Sequence, residues 1–305
     1  MQEVSVLAPA TVSNVVCGFD CLGFALSEPN DEITLKRIDE RIVRILHRDN
    51  FGLPTDPEKN VAGVALLAMM RAADLDFGFE IEITKGIKPG SGVGSSAASS
   101  CGAVVAANHI LSERFSKQEL VTFAMEGERL ASGARHADNV APCIFGGFTL
   151  VRSIEPLDIV PLEFPPLYAI VIHPQIEIKT ADARAVLPNE VPLRDAVRQW
   201  ANVGAFVAAL SRGDHGLLAR SMEDLIVEPV RRSLIPKFDE IRKAAVSAGA
   251  LGGGISGSGP SVFMLCESAK RAAYVVAAMR RVFEPTGIEF NIYLSEISSD
   301  GARVV

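Results

Sequence analysis

Two α+β domains are what the 305-residue sequence predicts, and three observations carry that reading. The length suggests about two domains of ordinary size. Short runs that alternate or cluster apolar residues, as strands do, are interleaved with Ala- and Leu-rich helical stretches. Between Glu155 and Pro166 the prolines Pro156, Pro161, Pro165 and Pro166 interrupt regular structure and mark a linker. The boundary is therefore expected near residue 165, with domains at 1–164 and 165–305.

In the first half, strands are predicted at Val4 to Ala8, Glu32 to Arg37, Ile42 to His47 and Phe79 to Thr84. Val61 to Ala73 is rich in Ala, Leu and Met and reads as helix. Ser96 to Leu111 is an Ala-rich helix whose small side chains permit close packing on a sheet, Ser116 to Ala131 is amphipathic, and Gly147 to Arg152 returns to strand character. The second half opens with a strand at Tyr168 to Ile172. Helices are expected near Ala181 to Leu187, Leu193 to Leu210, His215 to Leu225 and Lys237 to Ser247. It closes with strand, helix and strand at Ser261 to Cys266, Ala269 to Phe283 and Ile288 to Ser295.

Composition narrows the function classes. Lys and Arg number 30 against 37 Asp and Glu, with no long basic run, so nucleic acid is an unsuitable partner. Anionic small ligands remain open, because local groups hold them. No stretch reaches the roughly 18 apolar residues of a membrane-spanning helix, and Met1 to Phe19 lacks a basic region followed by an apolar core, so the chain reads as cytoplasmic. The cysteines Cys17, Cys21, Cys101, Cys143 and Cys266 are scattered and odd in number, which argues for buried free thiols over a disulfide framework.

Several short motifs are decoys. His47-Arg48-Asp49 and Asp76-Phe77-Gly78 imitate protein-kinase triplets, but too little chain precedes the first to hold a glycine-loop lobe, and Pro54 stands at the metal-binding asparagine position. Gly252 to Gly257 satisfies G-x-G-x-x-G, yet it follows a helix and precedes a strand, the reverse of a dinucleotide fingerprint. No Gly-Lys dipeptide exists for a P-loop, and there is no G-x-S-x-G elbow.

The strongest chemical signal is Lys88-Pro89-Gly90-Ser91-Gly92-Val93-Gly94-Ser95-Ser96, where glycines at alternate positions lead into the Ala-rich helix. Glycines let the backbone aim successive N–H groups at one point, and the helix N-terminus adds partial positive charge. Together they form an anion nest suited to a nucleotide's phosphates. Ser95 and Ser96 are placed to cap the helix, and one hydroxyl could ligate Mg²⁺ beside a phosphate. Asn14 and Asp20 lie in a loop where an amide and a carboxylate could hold an ammonium or hydroxyl, unless Asn14 only stabilises a turn. Arg184 and Arg231 carry guanidinium groups of the kind that clamp carboxylates bidentately.

The glycine block sits between two others, Ala8 to Gly23 and Gly252 to Ser261 with its core Ser256-Gly257-Ser258-Gly259-Pro260. In order and spacing the three blocks together resemble the GHMP small-molecule kinase family. The Asn14 to Asp20 segment and His136-Ala137-Asp138-Asn139-Val140-Ala141-Pro142 are similar to its homoserine-phosphorylating branch. That similarity continues through Ile176 to Arg184 and Glu228 to Pro236, so it covers essentially the whole chain.

The resemblance implies a fold: an N-terminal ATP-binding domain like the second domain of ribosomal protein S5, and a ferredoxin-like C-terminal domain. It also implies an activity, ATP-dependent phosphorylation of the side-chain hydroxyl of L-homoserine on the route to threonine, with Mg²⁺ as cofactor and a homodimer as the assembly. Asn14, Asp20, Asn139, Arg184 and Arg231 would then position the acceptor. Residues Lys88 to Ser96 and Gly257 would hold the nucleotide, and Asn60 would contact adenine, an N-cap role being equally open. Glu128, with Glu126 its near competitor, and Ser95 would hold the metal.

Other GHMP branches use an aspartate as base near His136 to Asn139, and the register leaves the amide of Asn139 at or beside that position. Asp20 could serve instead, although passage of the proton to the γ-phosphate is the preferred expectation. The catalytic set that the resemblance implies is Asp20, Asn139 and Glu128, and His136 is not part of it. The rival readings are another GHMP kinase acting on mevalonate, shikimate or a sugar, and a non-catalytic ligand-binding regulator of the same fold.

Overall fold

The computed structural model describes residues 3–178 and 180–305. Strands β1 (Glu3–Ser13) and β2 (Leu22–Ile38) are antiparallel, with a register slip between Pro9 and Thr11. Strand β3 (Val43–His47), helix α1 (Val61–Ala73) and strand β4 (Gly78–Thr84) follow, β3 and β4 lying parallel side by side. Next come helices α2 (Ser95–Ile110), α3 (Lys117–Ser132) and α4 (Val140–Phe145), then strands β5 (Phe148–Ile154) and β6 (Leu157–Leu162) as a hairpin. The first sheet runs β11-β1-β2-β4-β3 once the chain's end, β11 (Arg303–Val304), has come back beside β1; β5 and β6 extend it from β2.

The second half holds β7 (Tyr168–Pro174), α5 (Thr180–Ala185), α6 (Leu193–Arg212), α7 (His215–Ser221), α8 (Glu228–Arg231), α9 (Phe238–Ser247), β8 (Gly252–Ile255), β9 (Val262–Cys266), α10 (Ala269–Phe283) and β10 (Phe290–Glu296). Its sheet is antiparallel in the order β10-β7-β9-β8. Counted within this half, that is fourth, first, third, second, the ferredoxin-like arrangement.

Period-two alternation assigns the faces of the second sheet. Ile170, Ile172, Val262 and Met264 point to α9 and α10 and form a core with Ile241, Val275 and Phe283. The intervening Ala169, Val171, Phe263 and Leu265 join the large core of the first half, so the two halves share buried apolar surface. In that large core α2 is buried nearly all round, between the sheet and helices α1 and α3, which is why its sequence shows no apolar stripe. A methyl group at Gly102 would sit 2.6 Å from Ile33 Cγ1, so the helix lies against β2 at a distance only glycine permits. Helix α1 starts at Asn60, whose Oδ1 accepts from the Ala62 and Gly63 amides, and α3 starts on a Ser116–Glu119 capping box; such caps contribute about 1 kcal/mol each.

The structure departs from expectation in a few places. The proline-rich stretch is not a continuous linker, because Leu157–Leu162 is strand β6. β6 pairs only with β5, and Pro161, which is exposed, needs no N–H partner on the open edge. The predicted boundary near 165 falls in the five residues that join β6 to β7. β1 and β2 run well beyond the predicted Val4–Ala8 and Glu32–Arg37; in β1, Thr11 and Ser13 are buried in the sheet despite their hydroxyls. β8 was not predicted, as three of its four residues are glycine and carry no strand signal.

Candidate active site

The glycine segment leaves β4 at Thr84 and enters α2 at Ser95, crossing the mouth of a cavity of about 360 Å³. Gly90, Gly92 and Gly94 all take left-handed backbone angles, with φ of +73°, +77° and +72°. Gly94 is the α2 N-cap, and no side chain caps the helix there. The sequence had offered Ser95 and Ser96 for that role. Instead the Ser95 hydroxyl donates to the Ile87 carbonyl at 2.9 Å, and Ser96 hydrogen-bonds Glu128. The uncapped first-turn amides therefore open on the cavity, which is what an anion nest requires.

Contacts from both halves hold this loop in shape. The Val93 carbonyl accepts the Thr11 N–H at 3.1 Å, and Val93 itself is buried. The Ser256 and Ser261 hydroxyls donate to the carbonyls of Gly92 and Ser91 at 2.7 and 2.6 Å. Beneath the loop lies a buried ion pair that sequence reading missed. Lys85 donates to Asp31, to the Ser95 carbonyl at 2.8 Å and to Ser99 Oγ at 2.9 Å, while Asp31 Oδ1 accepts the Gly86 and Ile87 amides. Burial pushes the lysine down and the aspartate up, and their mutual attraction opposes both shifts. All three ammonium protons are engaged, so Lys85 fixes the loop's two ends relative to β2.

Glu128, near the end of α3, faces the α2 N-terminus across the cavity. Burial pushes its carboxyl up to about 7, the Ser96 hydrogen bond opposing, and its Oε1 is buried without a hydrogen-bond partner among the described residues. Glu126 is instead paired with Arg135 and Arg129. Asp138, in the His136 to Pro142 segment, also lines the cavity. Burial, reinforced by the charge of Asp20, raises it to about 6. Asn139 beside it has both amide atoms engaged: Oδ1 accepts from Thr11 Oγ1 at 2.8 Å, and Nδ2 donates to Ser13 Oγ at 2.9 Å.

The other end of the cavity is built from side chains. Arg184 Nη2 lies 3.0 and 3.1 Å from the two oxygens of Asp20. Arg231 is buried, donating from Nε to the Ala183 carbonyl at 2.9 Å, and burial holds it below the ordinary arginine range. Both guanidinium carbons lie over the Phe19 ring, at 5.5 Å for Arg184 and 5.0 Å for Arg231, so an aromatic face helps two like charges converge. Asn14 ties this end to the glycine-rich third block, donating to the Gly257 carbonyl at 2.6 Å while its Oδ1 accepts the Asp20 N–H. His136 lies between them, Nε2 at 3.3 Å from Arg184 and Nδ1 at 3.9 Å from Asp20, and burial lowers its basicity.

Thus Asn14, Asp20, Pro89, Gly90, Ser91, Gly92, Gly94, Ser95, Ser96, Glu128, Asn139, Arg184, Arg231 and Gly257 line one cavity. Three predicted residues do not. Val93 is core, Lys88 reaches outward to Gln175, and Asn60 spends its side chain on the α1 cap and the Pro54 carbonyl. Neither Lys85, Asp31 nor Phe19 carried a signal of its own, because each acts through a partner distant in sequence.

Comparison with known proteins agrees with this geometry. The family model described as GHMP kinases N terminal domain matches residues 60–147, and that described as GHMP kinases C terminal matches residues 206–285. Homoserine kinase from Chloroherpeton thalassium is 44% identical with 100% of both chains covered, and that from Methanocella arvoryzae is 40% identical, with 100% of this chain and 98% of the relative covered. The crystal structure of homoserine kinase from Cytophaga hutchinsonii superposes with a TM-score of 0.96 at 48% identity, over 100% of this chain and 98% of that one. Mevalonate kinase from L. major shares the fold alone, with a TM-score of 0.73 at 18% identity over 95% and 94% of the two chains.

Proposed function

The chain belongs to the GHMP kinases, in their homoserine kinase branch, and on that premise we propose that it transfers the γ-phosphoryl group of ATP to the side-chain hydroxyl of L-homoserine, giving O-phospho-L-homoserine on the route to threonine. One observation supports the reading above the rest. An anion nest at a helix N-terminus and a cluster of one carboxylate and two guanidinium groups face the same cavity. A nucleoside triphosphate matches the first and a zwitterionic amino acid the second.

Phosphoryl transfer through a loose transition state depends on alignment and on neutralising phosphate charge. The backbone amides of Gly90 and of Gly92 to Ser96 bind the phosphates, the Ser91 N–H being taken by the Lys88 carbonyl, and the Lys85–Asp31 pair keeps that backbone in place. Glu128, a buried carboxylate with an unpartnered oxygen beside the nest, has the chemistry of a Mg²⁺ ligand, and the Ser95 hydroxyl keeps lone pairs free after donating to Ile87. When bound there, Mg²⁺ would neutralise phosphate charge. Arg184 and Arg231 take the acceptor's carboxylate, Asp20 its ammonium, and Asn139 and Asn14 keep the surrounding loops in register.

The acceptor's hydroxyl proton passes to the phosphoryl oxygens in this reading. The Asn139 amide cannot accept it, and the Asp20 carboxylate is engaged by Arg184. Asp138 favours a second route, because it places a carboxylate, a group able to accept a proton, in the cavity lining beside Asn139. Asp138→Asn decides between them: turnover within about tenfold of the parent supports the phosphate route, and a loss of about 10² to 10⁴ supports a carboxylate base.

A homodimer in the cytoplasm completes the proposal. Helix α6 exposes Leu193, Val197 and Trp200 at helical spacing on one face, an apolar stripe suited to a second copy, with sedimentation mass as the check. Five free cysteines suit a reducing compartment, and among the described residues no helix is long and apolar enough to cross a membrane. The catalytic assignment is tested by ADP release with Mg·ATP and homoserine, mevalonate, shikimate or galactose as acceptor. Preference for homoserine by a wide margin supports it. Preference for another acceptor moves the chain within the family, and activity with none promotes the regulatory reading.

A further inference from the structure

The loop that carries Asn14 and Asp20 is strained. Asn14, Val15 and Val16 take φ of +70°, +35° and +58°, a left-handed run that includes two β-branched residues. Such conformations are costly for β-branched residues and persist only where the surroundings hold them. Asn14 supplies one restraint through Gly257. Another comes from α6, which contributes nothing to the cavity lining.

Gln199, on the buried face of α6, donates from Nε2 to the Cys17 carbonyl and to Asp224 Oδ1, both at 3.0 Å, and its Oε1 accepts the Leu225 N–H at 3.0 Å. Both amide protons and the carbonyl are thus engaged, in a residue only 9% exposed. Asp224 in turn gathers the amides of Ile226, Val227 and Glu228, the turn that leads into α8 and Arg231. One side-chain amide therefore joins the loop bearing Asp20 to the segment bearing Arg231. These two walls bracket the acceptor and are otherwise far apart in the sequence.

We propose that Gln199 is a positioning residue for acceptor recognition: it sets the spacing between the carboxylate that takes the acceptor's ammonium and the guanidinium that takes its carboxylate. This rests on the homoserine reading, so the parent enzyme's turnover of homoserine is measured first, and its absence sinks that reading before Gln199 is tested. Gln199→Met keeps the length and packing but removes all three hydrogen bonds. Its expected signature is a KM for homoserine raised at least about tenfold, with KM for ATP within about twofold. A structural role alone would not separate the two substrates.

A second readout uses 4-hydroxybutyrate, which lacks the ammonium and engages the arginine wall only. Its inhibition constant should rise less than about threefold in the variant, because one-wall binding does not depend on the spacing. Gln199→Asn, too short to span both walls, should reproduce the pattern and guards against an effect peculiar to methionine. An unchanged homoserine KM, equal losses for homoserine and ATP, or equal losses for homoserine and 4-hydroxybutyrate would each overturn the proposal. If Gln199→Met does not fold, the same three constants for Gln199→Asn decide the matter.

Discussion

The end of the cavity proposed to take phosphate is built mainly on one stretch of backbone, from Lys85 to Ser96, with Glu128 and Gly257 beside it, whereas the end proposed to take the acceptor collects Asp20, Arg184 and Arg231 from three distant segments and presents side chains. The first is stiff by construction: glycines in left-handed conformations, carbonyls pinned by Ser256 and Ser261, and a buried ion pair underneath. The second is held at one remove, through Asn14, Gln199 and Asp224, and its Asp20–Arg184 pair is partly open to solvent. A site made of backbone can bind a ligand common to many enzymes, while a site made of side chains can be respecified without rebuilding the fold.

The largest expected effect falls on the backbone-made end. Lys85→Met would leave Asp31 buried without its counter-ion, a loss of about 3–5 kcal/mol in urea unfolding, with nucleotide affinity falling alongside. A cost below about 1 kcal/mol would mean that the pair does not hold the loop.

Glu128→Gln should separate stability from activity. Turnover should fall by about 10² to 10³, because a neutral amide is a poorer ligand than a carboxylate for the Mg²⁺ that Glu128 is proposed to hold beside the phosphates. The ligand-free protein should nevertheless become more stable at pH 8. The folded carboxyl, pushed up to about 7, lies above its unfolded value, so the native state binds the extra proton between them and stability rises as pH falls from about 7 towards the unfolded value near 4.3. Above pH 7 the buried charge works against folding, on the order of 1–3 kcal/mol, and the substitution removes it. Thermal melts at pH 8 and pH 5 check this: the variant's advantage should shrink in acid, and an advantage that grows in acid would contradict the assignment.

The smallest effect is expected at His136, which lies against Asp20 and Arg184 without an essential contact of its own. His136→Gln should change the homoserine KM by no more than about threefold. A larger change would place the imidazole in the acceptor site proper.

The same contrast explains what could be read in advance. The glycine nest, the α1 helix from Val61 to Ala73 and the amphipathic α3 were legible because their signals are local: alternate glycines, an Asn N-cap, an apolar period. Asp20 was legible as a carboxylate in a Pro/Gly-containing loop, whereas Arg184 and Arg231 stood out from ordinary surface arginines only through family resemblance, since nothing near them in sequence marks their convergence on Phe19. Asp31 and Lys85 were missed because a buried ion pair looks like two solvated charges until the sheet brings them together. β6 was missed for a different reason. Prolines forbid a central strand, and only the topology reveals that this one is an edge.

The central claim is that the two ends bind different ligands independently, and it is tested most directly by both Michaelis constants of Arg231→Ala. The account predicts a homoserine KM raised at least about a hundredfold, as expected when a buried carboxylate clamp loses a partner, with the ATP KM within about threefold of the parent. A loss shared equally by ATP, or an unchanged homoserine KM, would contradict it.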